Sequence, residues 1–201
     1  MHRYERQMRF TPFGEKGQRA LTQTHAVVVG AGALGSASSE MLVRAGIGTI
    51  TLLDRDVIEL SNLHRQQLYD ERDVAEQLPK AIAAKKRLSR INRDVVIHAK
   101  VVDVTPQNVE TLLQHADVVL DATDNIETRL LINDVAWKYN IPFFMGAGTG
   151  SYGITYPIGI DRNEPCLHCL IDIVPATTGT CDSEGVISPT TITVAARQVT
   201  Q

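Results

Sequence analysis

The hexapeptide Gly30-Ala31-Gly32-Ala33-Leu34-Gly35 constrains this chain more than any other stretch. It follows the apolar run Ala26-Val27-Val28-Val29, which reads as a buried parallel strand, and it leads into residues 36–45, which read as a helix. A strand, a glycine turn and a helix N-terminus in succession form a cradle for a nucleotide phosphate. Gly30 suits the tight turn, Gly32 leaves room for an anion that a side chain would block, and Gly35 lets the helix pack close to the strand. Free N–H groups and the dipole at the helix start favour negative charge there. The next strand, 49–53, ends at Asp54, whose carboxylate can accept hydrogen bonds from ribose hydroxyls. An NAD-dependent oxidoreductase would share these features, so the residues beyond Asp54 have to separate the readings.

After Asp54 the chain runs Arg55-Asp56-Val57-Ile58-Glu59-Leu60-Ser61-Asn62-Leu63-His64-Arg65-Gln66, a polar loop beyond the carboxyl end of a strand. Arg65 can grip phosphate oxygens with two parallel bonds and Asn62 can donate one more. Pro79 opens a helix that runs to about Asn92, with Lys80 in its first turn. A cation is unfavourable at a helix N-terminus, which points to an anionic partner for Lys80; Lys85-Lys86-Arg87 reads as a solvated face. Further strands are expected at 95–102 and 117–121, and further helices at 106–115 and 125–140. Asp121 and Asp124 then share the carboxyl edge with the glycine turn. Asp124 suits Mg²⁺ beside bound phosphates; the alternative is that it is only the N-cap of the following helix, and the two roles can hold together because a cap residue sits at the edge of the crevice.

A fifth strand at 142–145 is followed by Gly146-Ala147-Gly148-Thr149-Gly150, read as the point where strand–helix alternation stops. Residues 151–160 alternate and suggest antiparallel pairing. Cys166-Leu167-His168-Cys169 is half of a zinc site by spacing, with His168 not counted as a ligand. Cys181 sits in a Thr/Gly/Pro-rich loop, and 189–201 resumes a helical pattern. Ahead of the first strand, residues 3–22 read as two short helices broken at Thr11-Pro12-Phe13-Gly14, with Arg3 and Arg6 as solvated residues by default.

Composition narrows the class. The chain has 201 residues, 43% of them hydrophobic, enough for one core and one domain over 1–201. A net charge of −3 with interspersed signs gives no general nucleic-acid or membrane surface. The charged start Met1-His2-Arg3-Tyr4-Glu5-Arg6 carries no secretory signal, and no apolar run approaches the roughly 18 residues of a membrane span. Three cysteines fit a reducing cytoplasm rather than a disulfide scaffold.

Taken together, Arg3-Tyr4-x-Arg6-Gln7, the glycine turn, Asp54, Ser61-Asn62-Leu63-x-Arg65-Gln66, Pro79-Lys80, Asp121-x-Thr123-Asp124-Asn125 with Arg129, Pro165-Cys166-x-x-Cys169 and Thr180-Cys181 resemble the ubiquitin-activating E1-like superfamily, specifically the bacterial MoeB/ThiF/HesA adenylyltransferases. The resemblance runs from Arg3 to Gln201. It implies an α/β, Rossmann-like, doubly wound, mostly parallel sheet that continues into an antiparallel portion. It also implies a reaction: ATP and the C-terminal glycine of a small ubiquitin-like sulfur-carrier protein form an acyl-adenylate and pyrophosphate, for thiamin or molybdopterin synthesis. In this family pattern Gly32 and Asp54 hold the nucleoside, Asn62, Arg65, Gln66 and Lys80 hold the phosphates, and Asp124, next to Asn125, binds Mg²⁺. Arg6 reaches into a partner subunit's site, which implies a homodimer. Cys166 and Cys169 form the first half of a Cys₄ zinc site, and Cys181 takes part in sulfur transfer with a sulfur donor or in a covalent link to the carrier. His64 stands where the family has glutamine. The chain is shorter than the family pattern, so the antiparallel portion and the second zinc pair are expected to be cut short, and a non-catalytic nucleotide-binding or dimerising fragment is the alternative. An oxidoreductase has no use for Arg65, Lys80 and Asp124 converging on a triphosphate.

Overall fold

The computed structural model describes residues 2–161, 163–171 and 185–201. Six strands form one sheet: β1 (His25–Val29), β2 (Thr49–Leu53), β3 (Val96–Lys100), β4 (Val118–Asp121), β5 (Phe143–Thr149) and β6 (Tyr152–Ile158). Their order is β3-β2-β1-β4-β5-β6, with all neighbours parallel except the antiparallel β5–β6 pair. Helices among the described residues are α1 (Glu5–Met8), α2 (Gly14–Leu21), α3 (Ala33–Ala45), α4 (Glu71–Ala75), α5 (Lys80–Ile91), α6 (Val109–Leu113), α7 (Ile126–Tyr139), α8 (Leu167–Ile171) and α9 (Ser188–Thr200).

The central strand explains why its sequence is apolar throughout. Side chains alternate across a strand, so β1 feeds two cores. Ala26 and Val28 pack with Ile50, Leu52 and Leu88 on one face; Val27 and Val29 pack with Val119, Ile132 and Phe143 on the other. The strand order reverses between β1 and β4, and in open α/β sheets the crevice at the carboxyl ends of such strands binds ligands. The glycine turn leaves β1 at that point, and residues 122–125 leave β4 beside it.

Two expectations need correction. The fifth strand does not end at Met145. β5 runs through to Thr149, and its pairing with β6 extends from Phe143↔Ile158 to Thr149↔Tyr152. The glycines serve the layer above: a Cβ on Gly146 would lie 2.5 Å from the Gln198 amide, and one on Gly153 2.2 Å from a Val194 methyl. Glycine inside a strand here marks the close approach of α9. Arg3 is not merely solvated, since its Nη1 donates to Ile91 O at 3.2 Å and so caps the end of α5.

The N-terminal helices pack at the far end of α3. Gln7 and Gln18 both donate to Ala45 O, at 3.0 and 3.1 Å, and Tyr4 Oη accepts from Asn92 Nδ2 at 2.7 Å. The expected helix at 106–115 is confined to Val109–Leu113, and the strand expected at 95–102 to Val96–Lys100. No helix among the described residues is long and apolar enough to cross a membrane.

Candidate nucleotide site

Three glycines shape the turn for separate reasons. Gly30 has φ +92, and a Cβ there would sit 2.6 Å from Ala122 O. A Cβ on Gly35 would sit 1.9 Å from Gly30 O, so α3 could not approach the turn. A Cβ on Gly32 would meet nothing closer than Gln66 Nε2, 3.7 Å away. Gly32 is also the N-cap of α3 and supplies no side-chain cap to the first amides. An open space in front of uncapped helix amides is what an anion needs.

Asp54 is bonded to the turn. Its Oδ2 accepts from Ala31 N at 2.7 Å and its Oδ1 from Asp56 N at 2.7 Å. Burial pushes its carboxyl up, while the two amides and Lys80 pull it down. Each oxygen keeps a further lone pair, so ribose recognition and the brace are compatible. Sequence reasoning missed the second brace, Tyr69, whose hydroxyl donates to Ala31 O at 2.7 Å.

The polar loop folds back toward the turn. Asn62 is buried, and its Oδ1 accepts from Glu59 N at 3.1 Å. Arg65 is half-buried, with Nη1 2.9 Å from Ser61 O and 2.9 Å from His64 Nε2. Gln66 is 3% exposed and its Oε1 has no partner among the described residues. Ser61, Asn62, Arg65, Gly185 and Val186 border a cavity of about 300 Å³. A buried, unpartnered amide oxygen beside an open glycine cradle fits a site built for a polar ligand such as a nucleotide.

Lys80 is buried and its Nζ lies 2.8 Å from Asp56 Oδ2. The anionic partner inferred for it therefore already exists within the chain, and Asp56 is a site residue the sequence reading passed over. Its signal was the Asp-x-Asp spacing at the tip of β2.

Asp124 resolves differently from its neighbour. The N-cap of α7 is Asn125, whose side chain accepts from Thr128 N at 2.9 Å. The capping alternative for Asp124 falls away. Asp124 is exposed at the crevice, with Asn125 Nδ2 3.4 Å from its Oδ1. Asp121, fully buried, instead pairs with Arg129 Nε at 2.7 Å and accepts from Thr123 N at 2.8 Å. Burial pushes the Asp121 carboxyl up against the pull of Arg129 and Thr123. Arg129 also donates to Thr123 O and Gly146 O, at 2.9 and 3.1 Å, and so pins the segment that carries Asp124.

Not every expected residue joins this site. Arg6 is exposed on α1, at the opposite end of α3. That helix has 13 residues, about 20 Å of rise. Cys166 and Cys169 lie on the α8 segment with Sγ atoms 3.9 Å apart, close to the roughly 3.8 Å edge of a tetrahedral zinc–sulfur site. Burial raises the Cys166 thiol, but N–H groups of Cys169 and His168, the Cys169 thiol and the Asn133 side chain outweigh it and hold it below the usual value. His168 Nε2 lies 2.8 Å from Asp134 Oδ1. Among the described residues no group of three or more His, Cys, Asp or Glu could hold a metal by itself. Cys181 lies outside the described residues.

Comparison with known proteins agrees with this geometry. Solved structures of E. coli MccB, among them one with ATP, share the fold: the ATP structure gives a TM-score of 0.85 at 22% identity, over 100% of this chain and 62% of that one. The chain is 52% identical over 198 residues to the sulfur carrier protein ThiS adenylyltransferase of Bacillus subtilis, covering 98% of this chain and 59% of the relative. It is 40% identical over 179 residues to the sulfur carrier protein adenylyltransferase of Thermus thermophilus, covering 87% of this chain and 65% of that protein. Against the molybdopterin-synthase adenylyltransferase of Escherichia coli it is 35% identical over 189 residues, 94% of this chain and 75% of the relative. The chain thus spans about three fifths of the B. subtilis protein's length. The ThiF family profile matches residues 4–201, and with an open glycine cradle at the switch point of a 3-2-1-4-5-6 sheet, the chain belongs to the ThiF family.

Proposed function

We propose that the chain is a single adenylation domain. It joins ATP to the C-terminal glycine of a small ubiquitin-like sulfur-carrier protein of the ThiS or MoaD type. The observation that carries this reading is Asp124. It stands exposed and uncapped at the β1/β4 switch point, next to the turn that leaves Gly32 open. A free carboxylate beside a phosphate cradle suits Mg²⁺, which takes one or two carboxylates and completes its shell from phosphate oxygens and water. The names of the B. subtilis and T. thermophilus relatives support the carrier substrate.

In this reading a carboxylate oxygen of the carrier's terminal glycine bonds to the α-phosphorus. The bond from that phosphorus to the α–β bridging oxygen breaks, and pyrophosphate leaves with its electron pair. No proton needs to be moved by the protein, so catalysis is positioning and charge neutralisation. The α3 amides and Gly32 would hold the phosphates at the turn, and Asp54 the ribose. Asn62 Nδ2, Arg65 and Gln66 would grip the phosphates from the loop. Lys80 would carry the cation that offsets charge building on the leaving group, with Asp56 holding it ready. Mg²⁺ at Asp124 would add Lewis-acid stabilisation to that same charge.

Arg6 belongs to this scheme through a second subunit. It has no ion pair or hydrogen bond among the described residues and lies about 20 Å from its own turn, which favours a homodimer in which it completes the partner's site. Cys166 and Cys169 would supply half of a structural zinc site. Cys181 would act after adenylation, as the thiol that takes sulfur from a donor or links to the carrier. We place the reaction in the cytoplasm, where free thiols persist.

Carrier-dependent exchange of labelled pyrophosphate into ATP tests the proposal. Lys80→Ala and Asp124→Ala should each lower exchange by about 10²-fold or more, the size of a lost preorganised charge contact. Full exchange by a folded Asp124→Ala protein would remove Asp124 and its Mg²⁺ from the mechanism.

A further inference from the structure

Tyr69 lies 38 residues from the turn it touches and just beyond Asn62, Arg65 and Gln66, the loop residues assigned to phosphate. Its ring is 8% exposed and belongs to the core on the α5 face of the sheet. A buried tyrosine hydroxyl has to find an acceptor, and many carbonyls would serve. The one it takes is that of Ala31, the residue between Gly30 and Gly32, at 2.7 Å. Ala31 is itself 1% exposed, so its carbonyl has no water to fall back on. The amide of the same residue is held by Asp54, also at 2.7 Å. Both polar groups of one residue in the turn are therefore clamped by side chains, one from the tip of β2 and one from the far end of the loop that begins there.

The loop transmits that clamp. Backbone bonds run from Gln66 N to Asn62 O at 3.0 Å and from Tyr69 N to Gln66 O at 3.4 Å. Tyr69 thus ends the turns that carry Asn62, Arg65 and Gln66. Gln66 Nε2 comes within 3.7 Å of the point where a Gly32 side chain would begin. Two segments, a glycine turn and a polar loop, must keep one spacing if they are to close on one ligand. Tyr69 joins them directly, by a single side-chain bond.

We propose that Tyr69 is a positioning residue for the nucleotide: its hydroxyl fixes the glycine turn relative to the phosphate-gripping loop, so that both meet ATP in the right register. This rests on the adenylation reading for the identity of the ligand. The effect falls on affinity rather than on chemistry, because the hydroxyl acts through Ala31 and touches no reacting atom. Losing it leaves the turn free to shift, and binding must then restore an order that the wild type already holds.

Tyr69→Phe keeps the ring in the core and removes only the bond. In the full chain, calorimetric titration with ATP and Mg²⁺ should show Kd raised about five- to tenfold, the scale of one buried hydrogen bond. KM for ATP should rise with it, while kcat changes less than about twofold and KM for the carrier is unchanged. Hydrogen exchange without nucleotide should be faster at residues 30–35 in the variant and unchanged in β1. Tyr69→His, which can return a ring N–H donor, should recover part of the affinity. Unchanged Kd and unchanged exchange in a folded Tyr69→Phe protein would overturn the role and leave the adenylation reading intact. Loss of ATP affinity in Tyr69→Phe, in a chain whose wild type binds ATP without exchanging pyrophosphate, would uphold the tyrosine and sink the adenylation reading instead. A lowered melting temperature with unchanged Kd would mark the hydroxyl as a core bond only.

Discussion

Replacing Arg129 with methionine should be the most damaging single change near the site that touches no ligand. Its side chain is 13% exposed and that of its partner Asp121 is 0% exposed, with 2.7 Å between Nε and Oδ2. The same side chain donates to Thr123 O and Gly146 O. Methionine fills similar space but leaves a buried carboxylate without its cation and takes the Arg129 donors from two carbonyls. Breaking one side of such a pair costs about 3–5 kcal/mol. For a domain of this size that is a fall in Tm of about 6 to 20 °C. The loss should also depend on pH. Burial already raises Asp121 above its ordinary value, and Arg129 is the largest opposing influence. Without it the folded-state pKa rises further, while the unfolded value stays near about 3.9. The folded state then binds more protons than the unfolded one between those two values, so stability declines as pH rises through that window, and the charge part of the penalty vanishes below it. Arg129→Met should therefore lose more relative to wild type at pH 7.5 than at pH 5, read by thermal or urea unfolding. Arg129→Lys keeps the charge but not the fork that reaches three acceptors, and should fall between. A loss under about 1 kcal/mol that does not vary with pH would refute the picture of a buried charge held by Arg129.

Two further outcomes test the parts of the proposal that lie away from the turn. Mixed dimers of Arg6→Ala and Lys80→Ala subunits should regain pyrophosphate exchange that neither variant shows alone, because one of the two hybrid sites holds both intact residues; no recovery in a demonstrated mixed dimer would return Arg6 to its own surface. Two thiolates alone should hold little zinc, so metal analysis of these 201 residues should give well under one zinc per subunit, and brief alkylation read by mass spectrometry should label Cys181 ahead of Cys166 and Cys169; stoichiometric zinc would end the half-site reading, and an unlabelled Cys181 would end its role as a reactive thiol.

The glycine turn, the parallel strands around it and the acid at the tip of β2 were legible in the sequence because each is a local matter. A buried parallel strand must be apolar at every position, and a turn at φ +92 against a carbonyl excludes any side chain, so the pattern shows without knowing what packs where. Helix ends were less legible. Asp124 and Asn125 are both good caps, and only the backbone of α7 decides that Asn125 bonds to Thr128 and Asp124 is left to face the crevice. What the chain order could not show are the contacts between residues far apart in it. Lys80 meets Asp56, Arg129 meets Asp121 and Gly146, and Gln198 reaches Asp121 O at 2.7 Å across 77 positions. Tyr69 carries no local signal of a role, and its hydroxyl found Ala31 only once β2, the loop and α3 were assembled. Arg6 is a different case: its motif suggested a residue for a partner subunit's site, and the packing of α1 against Ala45 holds it at the far end of α3 from its own turn. Periodicity and backbone sterics act over a few residues and leave their mark in the sequence itself. The pairing of buried polar groups is settled by whichever partner the folded sheet and helices bring within about 3 Å, and that is a property of the tertiary structure alone.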